Sequence, residues 1–377
     1  MKGKQGMVCM GLLLVLSSCH TGKQITASGL QRKDFQTEVN GQHTDLFTLS
    51  NKQGMEVCIT NYGARVVSIL VPDRNGKRKD VVCGFSTITE YMEQRQNFGS
   101  TVGRYIGRIL NARFTLDGVE YKLVPNNGKS GHISHGGNPG FADRIWKVEQ
   151  ADTHRVCLSY LSPDGENGFP GNLKVTLVYS LGEDDNALDL TYEATTDAPT
   201  VLNLSHHSFF NISGNFTKSV EDQQLWVDAD RFTPYDDKKC VTGEYLQVAG
   251  TPLDFRMPHA IGECIDADHP QLKVVNGYDH TWELNTKGDD TRPAAWVYDP
   301  TSGRKMEIFT TEPGMQIYTG NGLKGKMTGK GGIAYPFRSA VCFETMHFQD
   351  SPNQPGFPST VLRPGEVFRS HTVYKFE

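Results

Sequence analysis

The sequence predicts an all-β protein made of antiparallel sheet, and three observations carry that prediction. Turn dipeptides recur along the chain: Asn75-Gly76, Asp117-Gly118, Asn127-Gly128, Asp164-Gly165, Asn167-Gly168 and Asn276-Gly277. Asn-Gly and Asp-Gly suit hairpin turns because both residues tolerate positive φ. Between the turns apolar residues alternate with polar ones. Leu173, Val175, Leu177, Tyr179 and Leu181 alternate with Lys174, Thr176 and Ser180, and Leu188, Leu190, Tyr192 and Ala194 alternate with Asp189, Thr191 and Glu193. Period two puts one face on a core and the other toward solvent. Past the first segment no long 3.6-residue period occurs, only short helical turns expected near Thr87–Tyr91.

The chain opens on an address. Residues 1–19 read MKGKQGMVCMGLLLVLSSC. Lys2 and Lys4 give a positive start, and the apolar run Met7 to Leu16 is shorter than the roughly 20 residues of a permanent span. Small residues then precede Cys19. The expectation is a signal peptide over 1–18 with Cys19 lipidated as the first mature residue, hence an exported, membrane-anchored lipoprotein on the periplasmic or cell-surface side. A plain signal peptide cut near Ser18, with Cys19 incidental, is the alternative. Residues 19–40 are polar and pattern-poor and read as a lipid-attached tether. One large β domain is expected over residues 41–377, with no repeat or low-complexity linker inside it.

Composition excludes other classes. Of 377 residues, 37% are hydrophobic and 21% charged, and the formal net charge is −5. Those values fit a soluble globular chain and exclude disordered, collagen-like and multi-span membrane classes. A mildly acidic chain without basic runs is no nucleic-acid binder, since phosphate contacts need clustered Lys and Arg. Cys58, Cys83, Cys157, Cys240, Cys264 and Cys342 are scattered with no CxxC pair, which fits neither a zinc site nor a dense disulfide framework. Most lie in strand-like apolar runs and are expected as reduced core residues.

Five segments place ionisable or amide groups beside glycines and aromatics, as a sugar site needs: hydroxyls meet polar groups and C–H faces meet rings. Gly103-Arg104-Tyr105-Ile106-Gly107-Arg108 offers Arg108 as a ligand-binding residue rather than a surface charge. Gly131-His132-Ile133-Ser134-His135-Gly136-Gly137 sets histidines on a close-packed turn; with no HExxH and no third ligand nearby, metal is the minority reading and no metal or cofactor is expected. Asn203-Leu204-Ser205-His206-His207-Ser208-Phe209-Phe210-Asn211 offers a proton donor suited to neutral pH. Asn276-Gly277-Tyr278-Asp279-His280 and Cys342-Phe343-Glu344-Thr345 each add a carboxylate that is either structural or poised as a base.

Taken together these segments resemble the aldose 1-epimerases, or galactose mutarotases. The matching runs are ITNYGARVVSILVPDRNGK, NFGSTVGRYIGR, GHISHGG, SPDGENGFPGNL, NLSHHSFFNISG, NGYDHTWEL, TTEPGMQIYTGN and FETMHFQDSPNQPGFPSTVLRPGE, in family order from about Phe47 to the C-terminus. The resemblance implies a β-supersandwich of large antiparallel sheets with an open cleft, and exchange of α and β anomers of free galactose- or glucose-type aldoses. It implies Glu344 as general base, His207 as general acid, His135 as the residue polarising the ring oxygen, and Arg108, Asp279 and Gln316 as substrate-binding residues. Phe209 belongs with these but stands where the family usually has Tyr; Gly107 stands where Asn is usual, and His206 where Asn is common. The changes at Gly107 and Phe209 bear on which sugar hydroxyls are read. The expected partner is a small aldose, and the expected state a monomer or weak dimer. Rival readings are a hexose-phosphate epimerase, which would need further cations beside Arg104 and Arg108, a glycosidase using Asp279 with Glu344, and a non-catalytic carbohydrate-binding lipoprotein.

Overall fold

The alternation over residues 173–181 is realised in the strand Leu173–Leu181, whose five apolar side chains are buried while Lys174 faces out. Its neighbour Ala187–Thr196 pairs antiparallel with Leu177 opposite Tyr192, so the apolar stripes of both strands fall on one face. These two strands sit inside a nine-stranded sheet. Its order is Lys147–Ala151, Arg155–Ser162, Leu173–Leu181, Ala187–Thr196, Phe368–Phe376, Lys305–Thr310, Ala295–Tyr298, Gln224–Val227 and His259–Ala260. A six-stranded sheet runs Phe209–Phe210, Val341–Met346, Gly314–Tyr318, Asp279–Glu283, Arg231–Thr233 and Leu246–Gln247, and a four-stranded sheet runs Leu46–Ser50, Glu56–Thr60, Arg65–Pro72 and Arg78–Asp80. This computed structural model describes residues 24–377; the expected signal peptide over 1–18 and the expected lipidation site Cys19 lie outside the described residues.

All three sheets feed one core, in which Val57 and Ile69, Leu177 and Leu190, and Trp282, Ile317 and Phe343 belong to a single buried cluster. The strand Arg65–Pro72 is buried on both faces. Its second face, with Val67, meets Leu30, Phe35, Leu46 and Cys58 in a separate cluster. Residues 24–40 therefore differ from the tether expected of them. Leu30 and Phe35 are buried, a 3₁₀ turn spans Arg32–Phe35, and the Ala27 amide donates to Glu56 Oε1 at 2.6 Å. Two apolar side chains with no period between them leave no pattern to read, yet they cover the outer face of the four-stranded sheet.

The local signals resolve in different ways. Asp117 and Gly118, at φ 51° and 81°, form the two-residue turn between Arg113–Leu116 and Val119–Lys122. Thr87 caps a helix over Ile88–Gln94 through a capping box with Glu90. Asn276-Gly277 makes no hairpin: Asn276, at φ 60°, ends the helix Pro270–Val275, since the same left-handed tolerance serves a helix C-terminus. The six described cysteines are free. Cys58, Cys83 and Cys342 are buried as expected, whereas Cys157, Cys240 and Cys264 are only half-buried.

Candidate active site

Strand alternation and register build the cleft. Along Val341–Met346, Phe343 turns into the core, so Cys342, Glu344 and Met346 face the other way. Register carries that face across the sheet. Glu344 pairs with Gln316 and Gln316 with Thr281, while Cys342 pairs with Tyr318 and Tyr318 with Asp279. Two adjacent rows of polar side chains thus share the surface opposite the core. The short strand Ser205–His207 pairs with Ser100–Val102 and brings His207 over these rows. His206, one residue earlier, points into the core, where its Nε2 meets Ser208 Oγ at 2.6 Å and its ring packs near Tyr179 and Tyr374.

These elements enclose a cavity of about 270 Å³ lined by Arg108, His135, His207, Phe209, Asp279, Gln316 and Glu344, among others. All seven cleft residues expected from the sequence meet there. The volume lies just under the roughly 300–1,000 Å³ of drug-sized sites, which suits a single sugar ring. His207 Nε2 stands 3.4 Å from Glu344 Oε1. Phe209 stacks on the His207 ring at 5.1 Å between centroids and is held edge-on by Phe98 at 4.8 Å, so the ring fixes the imidazole. His135 lies edge-on to His207 at 5.5 Å. Its Nδ1 is buried, with no hydrogen-bond partner among the described residues. Gly136 makes the His135 turn possible. A Cβ there would fall 1.9 Å from the Gly103 carbonyl oxygen, at φ 77°.

Gln316 Nε2 donates to Asp279 Oδ1 at 2.7 Å, and Thr281 Oγ1 donates to Gln316 Oε1 at 2.5 Å. The glutamine's orientation is fixed by that pair of bonds.

Burial sets the electrostatics. Desolvation, then the Asp279 charge, hold the Glu344 carboxyl well above the usual carboxylate range, with Arg108 opposing. Desolvation pushes His207 down to about 4. Desolvation, then His207 and Arg108, push His135 down to about 3, a neutral ring. Burial works against the Arg108 charge, but Tyr235 and Asp279 outweigh it and its pKa is raised. These directions place the one proton the pair shares over the neutral range on Glu344 and leave His207 neutral, so a general-acid role for His207 requires that proton to cross the 3.4 Å between them.

His207, Cys342 and Glu344 also bring ligand-type atoms within 4.8 Å of one another. The imidazole stands between the other two, with Nδ1 toward Cys342 Sγ at 3.7 Å and Nε2 toward Glu344. Burial also keeps the Cys342 thiol protonated. The arrangement fits proton transfer better than a shared metal ligand set.

Two neighbours of the expected residues have other work. The Arg104 guanidinium donates to the carbonyls of Ser162, Pro163, Pro170 and Gly171, with lengths of 2.8–3.2 Å, and ties loops together outside the cavity. His132 accepts from the Asn111 amide at 2.9 Å and faces Cys240. Asn97, Tyr318 and Gln349 line the cavity without having been singled out. All three lie inside the quoted runs, but none is an ionisable group at neutral pH or a position the resemblance assigns. Tyr235, whose hydroxyl accepts from Gln349 Nε2 at 2.7 Å, lies outside every run and left no signal.

An all-β scaffold whose cleft pairs a buried carboxylate with an imidazole and holds polar groups around one ring-sized space defines an isomerase of the acid–base type. Residues 45–375 match the family model for aldose 1-epimerase. The galactose mutarotase of Bos taurus is 40% identical over 88% of this chain and 93% of its own. The aldose 1-epimerase of Escherichia coli K12 is 36% identical over 89% and 96%. A crystal structure of an aldose epimerase homologue from C. elegans superposes with a TM-score of 0.81 at 31% identity, covering 89% of this chain and 99% of that one. The chain belongs to the aldose 1-epimerase family, isomerases that interconvert the anomers of aldoses.

Proposed function

We propose that this cleft takes one free aldohexose of the galactose or glucose type and exchanges its α and β anomers by opening and closing the ring, with Glu344 and His207 as the proton-transfer pair. The observation that carries the reading is their 3.4 Å approach inside a buried cavity with only room for a small ligand. The chemistry needs neither redox nor phosphate. With the pair's shared proton moved to His207, Glu344 takes the proton of the C1 hydroxyl while His207 gives one to the ring oxygen, O5. The C1–O5 bond breaks, an open-chain aldehyde forms, and rotation about C1–C2 presents the other carbonyl face. Proton transfers in the reverse sense then close the ring.

His135, a neutral ring lining the cleft, supplies a polar contact at the ring oxygen. Arg108, Asp279 and Gln316 hold the hydroxyls, and Phe209 offers an apolar face. The galactose mutarotases among the relatives support galactose as a substrate. With Arg104 engaged by backbone carbonyls, Arg108 is the guanidinium left to the cavity, which favours a free sugar over a phosphosugar. Polarimetry of freshly dissolved α-galactose and α-glucose tests the reading. Acceleration over the spontaneous rate is expected, and a rate equal to the buffer alone would overturn it.

Export as a lipid-anchored protein is a further part of the proposal. It rests on residues 1–19 and places the activity on sugars outside the cytoplasm. Clickable fatty-acid labelling that Cys19→Ser abolishes is the expected result; no label on the wild type would defeat it.

A further inference from the structure

Gly107 leaves a gap in the cleft wall, and Gln349 fills it. At φ 77° a Cβ on Gly107 would stand 2.6 Å from Gln349 Cγ. Gln349 is 4% exposed and lines the same cavity as Arg108, Gln316 and Glu344. Its carboxamide is held from three directions. Oε1 accepts from the Arg108 amide at 3.3 Å, and Nε2 donates to the Tyr235 hydroxyl at 2.7 Å and to Gln316 Oε1 at 3.3 Å. A carboxamide has two N–H donors and an oxygen with two lone pairs. Both donors are engaged, and one lone pair of Oε1 is spoken for. The other remains for a ligand hydroxyl. The immediate partners of Gln349 are substrate-side groups and not the Glu344–His207 pair, so its effect falls on which sugar is bound rather than on proton transfer.

We propose that Gln349 is a specificity-determining residue of this cleft, reading one sugar hydroxyl through Oε1 from the space that a side chain at position 107 would otherwise fill. The inference rests on the anomer-exchange reading above. It also accounts for glycine at 107: the recognition group has moved from one loop to another, and the two positions cannot both carry a long polar side chain.

Two variants test it. Gln349→Met keeps the bulk and removes the carboxamide. KM is expected to rise roughly three- to tenfold, the scale of one net hydrogen bond, with kcat within about twofold and a changed galactose-to-glucose ratio of kcat/KM. An unchanged KM and sugar ratio, or equal losses in kcat for both sugars, would overturn the proposal. Gly107→Asn should collide with Gln349 and lose activity, and Gly107→Asn combined with Gln349→Ala should recover much of it, since Asn tolerates positive φ. Equal effects of Gly107→Asn with and without Gln349 would likewise overturn it. If the wild type accelerates no sugar, the function reading fails instead. Calorimetric binding of galactose to wild type and Gln349→Met then decides the role of Gln349: weaker binding by the variant supports it, equal binding refutes it.

Discussion

Glu344 and His207 reach each other from different sheets. Glu344 stands on Val341–Met346 inside the six-stranded sheet, and His207 ends the short strand Ser205–His207, paired only with Ser100–Val102. Their reacting atoms are 3.4 Å apart, with side chains 5% and 7% exposed. A base and an acid anchored on separate sheets can flank a ligand from two directions, which one strand could not provide. The two side chains face each other, and the hemiacetal oxygens would enter between them.

Removing either group should cost proton transfer without unfolding the chain. Glu344→Gln and His207→Ala are each expected to lower kcat by roughly 10²–10⁴-fold, with circular dichroism unchanged. Polarimetry at saturating sugar measures the first, and a variant retaining the wild-type rate would remove that residue from the mechanism.

The pair should give a bell-shaped pH profile in which the active form carries one proton. The two limbs belong to the pair and not to either residue: burial lowers the His207 imidazole to about 4, and burial with Asp279 holds the Glu344 carboxyl well above its usual range. The plateau of kcat/KM lies between these limits. An optimum confined to pH below 4 would contradict the pair as drawn.

Glu344 should be a stability liability that grows with pH. Its folded pKa is raised above the unfolded value of 4.5. The unfolded chain therefore releases this proton first, and stability falls as pH rises from 4.5 through the folded pKa. Glu344→Gln escapes that loss. Its melting temperature should exceed wild type by more at pH 8 than at pH 4.5, and calorimetry at the two pH values checks it.

His371 should act in the same sense on the outer face of the nine-stranded sheet. Its Nδ1 meets Asp290 at 2.7 Å and its Nε2 meets Asp189 at 3.2 Å, and the hydrogen bond that the ring donates to Asp189 leads in raising its pKa to about 8, against desolvation. The stabilisation is present below the unfolded pKa of 6.5 and is lost as pH rises through 8. His371→Gln should lower the melting temperature at pH 6 but hardly at pH 9, with mutarotation unaffected. An equal loss at both would place the effect in packing instead.

The two arginines of the Gly103–Arg108 segment should fail differently. Arg108→Ala is expected to raise KM mainly, since it touches the bound ligand alike in ground and transition states. Arg104→Met strands the carbonyls of the buried Ser162, Pro170 and Gly171 and should lower the melting temperature first. Kinetics and thermal unfolding of the two variants, run side by side, separate them.

Much of this protein was written in local pattern. Period-two alternation determined the strands Leu173–Leu181 and Ala187–Thr196, because a pleated strand in a half-buried sheet has no other way to sort apolar from polar side chains. Ordered motifs singled out Arg108, His135, His207, Asp279 and Glu344, because imidazole, carboxylate and guanidinium are rare beside glycine without a chemical reason, and the family resemblance added Gln316 and Phe209. Tertiary structure alone decided the rest. The same Asn-Gly signal that predicts a hairpin ends a helix at Asn276, since left-handed backbone serves either use. Leu30 and Phe35 left no period, yet they cover a sheet face. Tyr235 and Gln349 are neutral, and their part in the cleft comes from what stands beside them. Register between distant strands sets Glu344 against Gln316, and only the packing of separate sheets brings His207 to within reach of that carboxylate.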